Sequence, residues 1–281
     1  VVLAVPVGAH RYMCPSLVEQ GPPAGAGGHD WKAMVDGLET IPSQAVQIWL
    51  EKDLADYGMD PSYLLWRGER FAGPSWELPL NLWTDFSDLI PIEDWQAPAP
   101  RTLLYWCGPL QDDRQDCEPD FSEHAYPERQ RERVMWSTAQ GLRTLGALLP
   151  GAALPGNPRG FDFEQLVCDA DSDELVGELR LWTQHLRPNI DPNERYVISK
   201  PGSLPYRRQA WESGYENLAL AGDWIFTGIN IGSFEGAVMS GKLASHALTA
   251  WPPLDEVWGY DFLRDREDGE NVPMIRGGEA G

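Results

Sequence analysis

Asn217-Leu-Ala-Leu-Ala-Gly222-Asp223-Trp224-Ile-Phe-Thr-Gly228-Ile-Asn-Ile-Gly232-Ser233-Phe234-Glu235-Gly236-Ala237-Val-Met-Ser-Gly-Lys-Leu-Ala-Ser-His-Ala-Leu248 is the stretch on which the reading of this chain turns. Leu218-Ala-Leu-Ala221 reads as a short buried strand that stops at Gly222-Asp223. A glycine-rich turn carrying Gly228 and Gly232 follows, and a helix is predicted from near Ser233 to about Ala250. The C-terminal end of a strand is where open α/β sheets bind ligands. A carboxylate there, Asp223, can accept a hydrogen bond from a sugar-like hydroxyl. The helix after it starts with free backbone N–H groups and the positive end of its dipole, which suit electron-rich ligand atoms. Gly236, Ser240, Gly241 and Ala244 keep one side of that helix small, so it can lie close to a sheet or a ligand.

Working outward, Val1-Val2-Leu3-Ala4-Val5-Pro6 reads as a strand buried on both faces, as in a parallel sheet. Such a strand needs neighbours on both sides, so the chain is expected to be the C-terminal part of a longer protein. Gly21-Pro22-Pro23-Ala24-Gly25-Ala26-Gly27-Gly28 is a loop, and a helical patch then leads to Ser43-Gln-Ala-Val-Gln-Ile-Trp-Leu50. Residues 60–127 are rich in Pro and Trp. Their best strand is Leu103-Leu-Tyr-Trp-Cys107, stopped by Gly108-Pro109. An amphipathic helix is predicted from about Glu128 to Leu149, with Val134, Ala139, Leu142, Leu145 and Leu149 on its buried face and Pro150-Gly151 at its end. Residues 191–216 are turn-rich, with one short strand at Tyr196-Val-Ile198, and the tail from Trp251 is loose.

Composition narrows the class. With 281 residues, 42% hydrophobic and 23% charged, the chain has enough apolar sequence for one large domain or two small ones. A net charge of −21, with 18 Arg and 4 Lys spread along the chain, argues against nucleic-acid partners. No apolar run approaches the length of a membrane span. Cys14, Cys107, Cys117 and Cys168 show neither redox nor zinc spacing, which favours free buried thiols in a reducing, cytoplasmic compartment.

The Asn217–Leu248 segment resembles the C-terminal flavin-contacting motif of the flavin-containing amine oxidase and phytoene desaturase superfamily. Val1-Val-Leu-Ala-Val-Pro6 looks like the strand that precedes the second substrate-domain segment in those enzymes, and Arg195-Tyr-Val-Ile-Ser-Lys-Pro-Gly-Ser203 is similar to a bacterial branch. The resemblance implies an α/β (α+β) chain, part of a two-domain, FAD-binding Rossmann-like fold with an inserted mixed α+β substrate domain. Residues 1–29 and 215–251 would belong to the flavin domain, 30–214 to the substrate domain and 252–281 to a tail. It implies a FAD-dependent oxidoreductase of amine oxidase or desaturase type, acting on a small organic substrate and passing a hydride to flavin N5. Gly222, Asp223, Trp224, Gly232, Ser233, Phe234, Glu235 and Ala237 would contact the cofactor, Asp223 at the ribityl chain or pyrophosphate and the helix start at the pyrimidine edge.

Two departures stand out. The superfamily's G-x-G-x-x-G fingerprint has no counterpart here, since Gly25-Ala-Gly27-Gly28 follows Pro-Pro rather than a strand. The missing N-terminal part would carry it. The cysteine that holds covalent flavin in some amine oxidases is also unmatched, so FAD would be non-covalent.

Other chemistries find little footing. Gly236-Ala-Val-Met-Ser-Gly241-Lys242 approaches a P-loop, but Leu243 stands where Ser or Thr must ligate magnesium. The histidines, His10, His29, His124, His185 and His246, show no metal-ligand pairing, so no metal is expected. Lys200 has no assignable role. Thirteen tryptophans are several times the usual share. Core packing explains Trp49, Trp136 and Trp182, and an aromatic wall for a flat or sugar-like substrate is the alternative. A Trp-rich, non-catalytic binding protein, possibly for carbohydrate, and a cofactor-less partner subunit therefore stay open.

Overall fold

A computed structural model describes residues 1–22, 30–60, 65–66, 69–70, 73–74, 78–96, 99–110, 122–168, 172 and 174–260. Its main elements are strand β1 (Val2–Leu3), helix α1 (Trp31–Gly37), β2 (Ser43–Leu50), β3 (Leu82–Asp85), β4 (Thr102–Pro109), helix α2 (Tyr126–Leu142), β5 (His185–Asn189), β6 (Ala219–Leu220) and helix α3 (Phe234–Thr249). The architecture is mixed, with helices beside small, mostly antiparallel sheets. The chain forms two compact units, 1–40 with 197–281 and 41–196. No helix among the described residues is long and apolar enough to cross a membrane.

The 41–196 unit is built on a five-stranded sheet in the order β5–β2–β4–β3–(Gly73–Pro74), antiparallel throughout. In β2 the burial alternates: Gln44, Val46, Ile48 and Leu50 are buried, while Ser43, Ala45, Gln47 and Trp49 are partly exposed. That period of two is why this stretch is a strand. Its buried face meets Leu104, Trp106 and the Val134, Ala139 and Leu142 stripe of α2 in one core. Buried Gln44 is satisfied, donating to the Pro109 carbonyl at 3.1 Å and accepting from Ser137 at 2.9 Å.

Two expectations need correction in this unit. Helix α2 ends at Leu142, not Leu149, and a 3-10 turn over Leu145–Ala147 follows. Tertiary contact takes over there: the Gly146 backbone packs so tightly on the Gly160 carbonyl that a Cβ would sit 2.1 Å from it. Leu145 and Leu149 are buried all the same, by the turns rather than by a helical stripe. The tryptophans are also sorted differently. Trp83 and Trp106 fill the core and stack at 6.4 Å, Trp182 is partly buried and packs against that core, Trp49 is partly buried, and Trp136 is 52% exposed.

In the other unit, β1 and β6 pair in parallel, Val2 opposite Ala219 and Leu3 opposite Leu220. The ladder continues past the strands through Ala219 N–H to the Val1 carbonyl and Ala221 N–H to the Leu3 carbonyl, both 2.9 Å. The opening strand is not buried on both faces: Val2 is exposed, and β1 pairs only with β6 among the described residues. Val18, Trp31, Leu220, Trp224, Ile225 and Leu243 form much of this unit's core. Residues 30–40 and 197–214, which the sequence reading assigns to the substrate domain, pack here instead. Helix α1 explains it, because Trp31 is buried in this core and its indole N–H donates to the Ser213 carbonyl at 2.9 Å.

Within this unit α3 matches its expected span closely. Ser233 caps the first turn by accepting from Gly236 N–H at 3.0 Å. At the other end Ala250 takes a left-handed φ of 58° and stops the helix. The tail is not loose from Trp251, since Val257 is buried in this unit's core and Leu254 and Tyr260 pack against it. The loop expected at 21–28 lies largely outside the described residues, as do Cys117, His29 and the tail beyond Tyr260.

Candidate functional site

The strand end, the carboxylate and the start of α3 come together through a chain of specific bonds. Gly222 follows β6 with φ of +128°, and a Cβ there would meet the Trp224 Nε1 at 2.3 Å. Only glycine suits both demands. Its N–H donates to Ser240 Oγ at 2.7 Å, and that hydroxyl donates in turn to the Ala237 carbonyl at 2.6 Å. Ser240 is thus a clamp between the strand end and the helix. Asp223 lies over the first helical turn, its Cβ 3.6 Å from the position a Gly236 Cβ would take. Gly236 is close to the Ile231 carbonyl as well, at 2.9 Å from that same position.

The Asp223 carboxyl is half-buried, and burial raises its pKa above the usual carboxylate value. The Arg207 guanidinium and the Asp223 backbone N–H pull the other way without cancelling the shift. A carboxyl held this way suits a hydrogen bond to a ligand hydroxyl. At the helix start, Ser233 occupies the Gly236 N–H, leaving the N–H groups of Phe234 and Glu235 with no carbonyl one turn back to bond. These two donors and the Asp223 carboxyl stand at the same end of α3.

The turn between them is built from a reciprocal pair. Asn230 Oδ1 accepts from Thr227 N–H at 2.9 Å, and Thr227 Oγ1 accepts from Asn230 N–H at 3.1 Å. Asn230 has a positive φ of 49°, which asparagine tolerates better than most side chains. Of the residues expected to form the site, Gly222, Asp223 and Ser233 are partly exposed, and Phe234, Glu235 and Ala237 are exposed. Gly232 is buried, and Trp224 is a core residue in edge contact with His10 at 4.8 Å.

Three residues of the arrangement have no signature in the sequence. Arg207, Ser199 and Asn230 are joined to the strand end by hydrogen bonds. Nothing sets Arg207 apart from seventeen other arginines until its contacts are seen. Elsewhere, Gly236–Leu243 lies within α3, where Ser233 takes the Gly236 N–H and the N–H groups after it serve the helix ladder, so the segment cannot cradle phosphate. Lys200 pairs with Glu39. Cys14, Cys107 and Cys168 are free and partly exposed rather than buried.

No protein-family model matches the chain, and no curated protein matches it.

Proposed function

We propose that this chain is part of a FAD-dependent oxidoreductase of the amine oxidase or desaturase type, with the cofactor held non-covalently. The observation that carries the reading is the meeting of a half-buried carboxyl, Asp223, with the open N–H groups of Phe234 and Glu235 at one end of α3. These groups fit complementary parts of a flavin nucleotide. Asp223 would take a hydroxyl of the ribityl chain, and the helix start would take carbonyl oxygens of the ring, where its dipole favours negative charge. When bound, the flavin supplies the two-electron acceptor for a hydride from an organic substrate. The residues of this chain bind and orient it, and the 41–196 unit is the substrate domain of the same reading. The ADP half would need a dinucleotide fingerprint, which these 281 residues do not contain, so a further segment of a Rossmann-like domain is part of the proposal. Three free thiols support a reducing, cytoplasmic setting.

The test is a visible absorption spectrum of the full-length protein carrying this chain, purified from FAD-supplemented culture. Flavin bands released by denaturation, and lost on Asp223→Ala, are the expected result. A protein that stays colourless after FAD is added overturns the reading. Attention would then pass to Trp49 and Trp95, whose indole N–H groups both donate to Glu93 Oε2 at 2.9 and 2.6 Å and form a partly exposed aromatic pair. That pair is what favours the non-catalytic binding protein as a second reading.

A further inference from the structure

We propose that Arg207 is the positioning residue of the Asp223 site, holding the strand end and the glycine turn as one unit through backbone carbonyls. Arg207 is 4% exposed. One guanidinium nitrogen donates to the Asp223 carbonyl at 2.6 Å and to the Ile225 carbonyl at 3.4 Å. The other terminal nitrogen donates to Ser199 Oγ at 3.0 Å, and that hydroxyl donates to the Asn230 carbonyl. One planar group therefore reaches both ends of the 223–230 loop, directly at Asp223 and through Ser199 at Asn230. The next residue strengthens the same seam, since the Arg208 carbonyl accepts from Phe226 N–H at 2.7 Å.

The chemistry requires arginine. A guanidinium is always charged and presents donors in a rigid fork, so it can bond carbonyls in two directions at once. Bonds to a cation are stronger than neutral ones, and in a buried setting they over-determine the loop. The loop sets where the Asp223 carboxyl stands relative to the Phe234 and Glu235 N–H groups. Arg207 also supplies the charge that favours the ionised carboxyl against burial. Glu235 stands in the exposed first turn of α3, His10 is buried against Trp224, and Arg208 follows Arg207 in the chain. The inference rests on the flavin reading for what the site binds, but not for how the loop is held.

The test compares wild type, Arg207→Lys and Arg207→Gln in the full chain by three measurements: native-state hydrogen exchange at Phe226, Thr227 and Asn230, titration of the Asp223 carboxyl by carbon NMR, and the FAD dissociation constant. Both variants should exchange about tenfold faster or more at those amides, because a charge-assisted bond is lost or misaligned. Asp223 should titrate at higher pH in Arg207→Gln and near wild type in Arg207→Lys, a split that a general loss of packing does not produce. FAD should bind about tenfold or more weakly in both. Unchanged exchange and titration in the two variants would overturn the proposal, as would FAD bound measurably and with equal affinity by all three proteins. Faster exchange and the titration split in a protein that takes up no FAD would uphold Arg207 and sink the flavin reading. If the Gln variant does not fold, the exchange and FAD arms of the Lys variant decide alone.

Discussion

Ser240→Ala tests the clamp that brings the strand end to the helix. Ser240 is 1% exposed and its hydroxyl makes two bonds, from Gly222 N–H at 2.7 Å and to the Ala237 carbonyl at 2.6 Å. Alanine is nearly isosteric and fits an interior helical position, so the cavity and propensity contributions are small. What remains is the hydrogen bonding. The Ala237 carbonyl keeps its helical partner, but the Gly222 N–H loses its acceptor, which costs about 1–3 kcal/mol when water cannot replace it. Gly222 is only half-buried, so the expected loss is about 1–2 kcal/mol, or about 5- to 30-fold in the opening equilibrium. Native-state hydrogen exchange reads this directly at Gly222 and along α3, with amides of β2 and β4 as the internal control. Gly222 should lose protection by that factor while the control amides hold theirs. Protection at Gly222 within about twofold of wild type would refute the reasoning, and the helix would then owe its place to apolar packing alone.

Burial raises the Asp223 carboxyl above its ordinary 3.8, so the folded chain binds that proton more tightly than the unfolded chain does. Its stabilising contribution is complete below pH 3.8 and is lost as pH rises through the raised value. Asp223→Asn should therefore gain on wild type between acid and neutral pH, as followed by urea unfolding at stepped pH, and a difference that does not change with pH would contradict this. In the 41–196 unit, Ile48→Ala should cost about 2–5 kcal/mol, because Ile48 is fully buried in the core, opposite Leu104 of β4. Trp136→Ala, at a half-exposed position, should stay within about 0.5 kcal/mol in the same unfolding assay. Reversal of that order would mean that the core is not where the sheet and α2 place it.

The Asp223 site was legible because its signals are local. The apolar run, its stop at Gly222-Asp223 and the helix start near Ser233 all act within a few residues, and each appears near its expected place. On the expected small face Gly236, Ser240 and Ala244 are buried and Gly241 is exposed. Arg207 was not legible, since its role is defined by carbonyls 16 and 18 residues away and by Ser199 on the other side. An arginine beside another arginine in a turn-rich stretch looks like solvated charge until those partners are known.

Residue order by itself determined the α3 helix, the Leu103–Cys107 part of the 102–109 strand and the carboxylate between strand and turn, because propensity is settled by near neighbours. Pairing with β2 carries that strand on through the Gly108-Pro109 expected to stop it. The tertiary structure decided where α2 stops, since the chain turns after Leu142 and packs the Gly146 backbone on the Gly160 carbonyl, a contact 14 residues apart in sequence. It decided which tryptophans are core, since an indole is buried only if the fold packs other side chains around it, as it does for the stacked Trp83 and Trp106, while Trp136 stays 52% exposed. It also decided that residues 30–40 join the first unit, through a bond from Trp31 to a carbonyl 182 residues along the chain. Contacts of that range leave no periodicity behind, so only the folded chain reveals them.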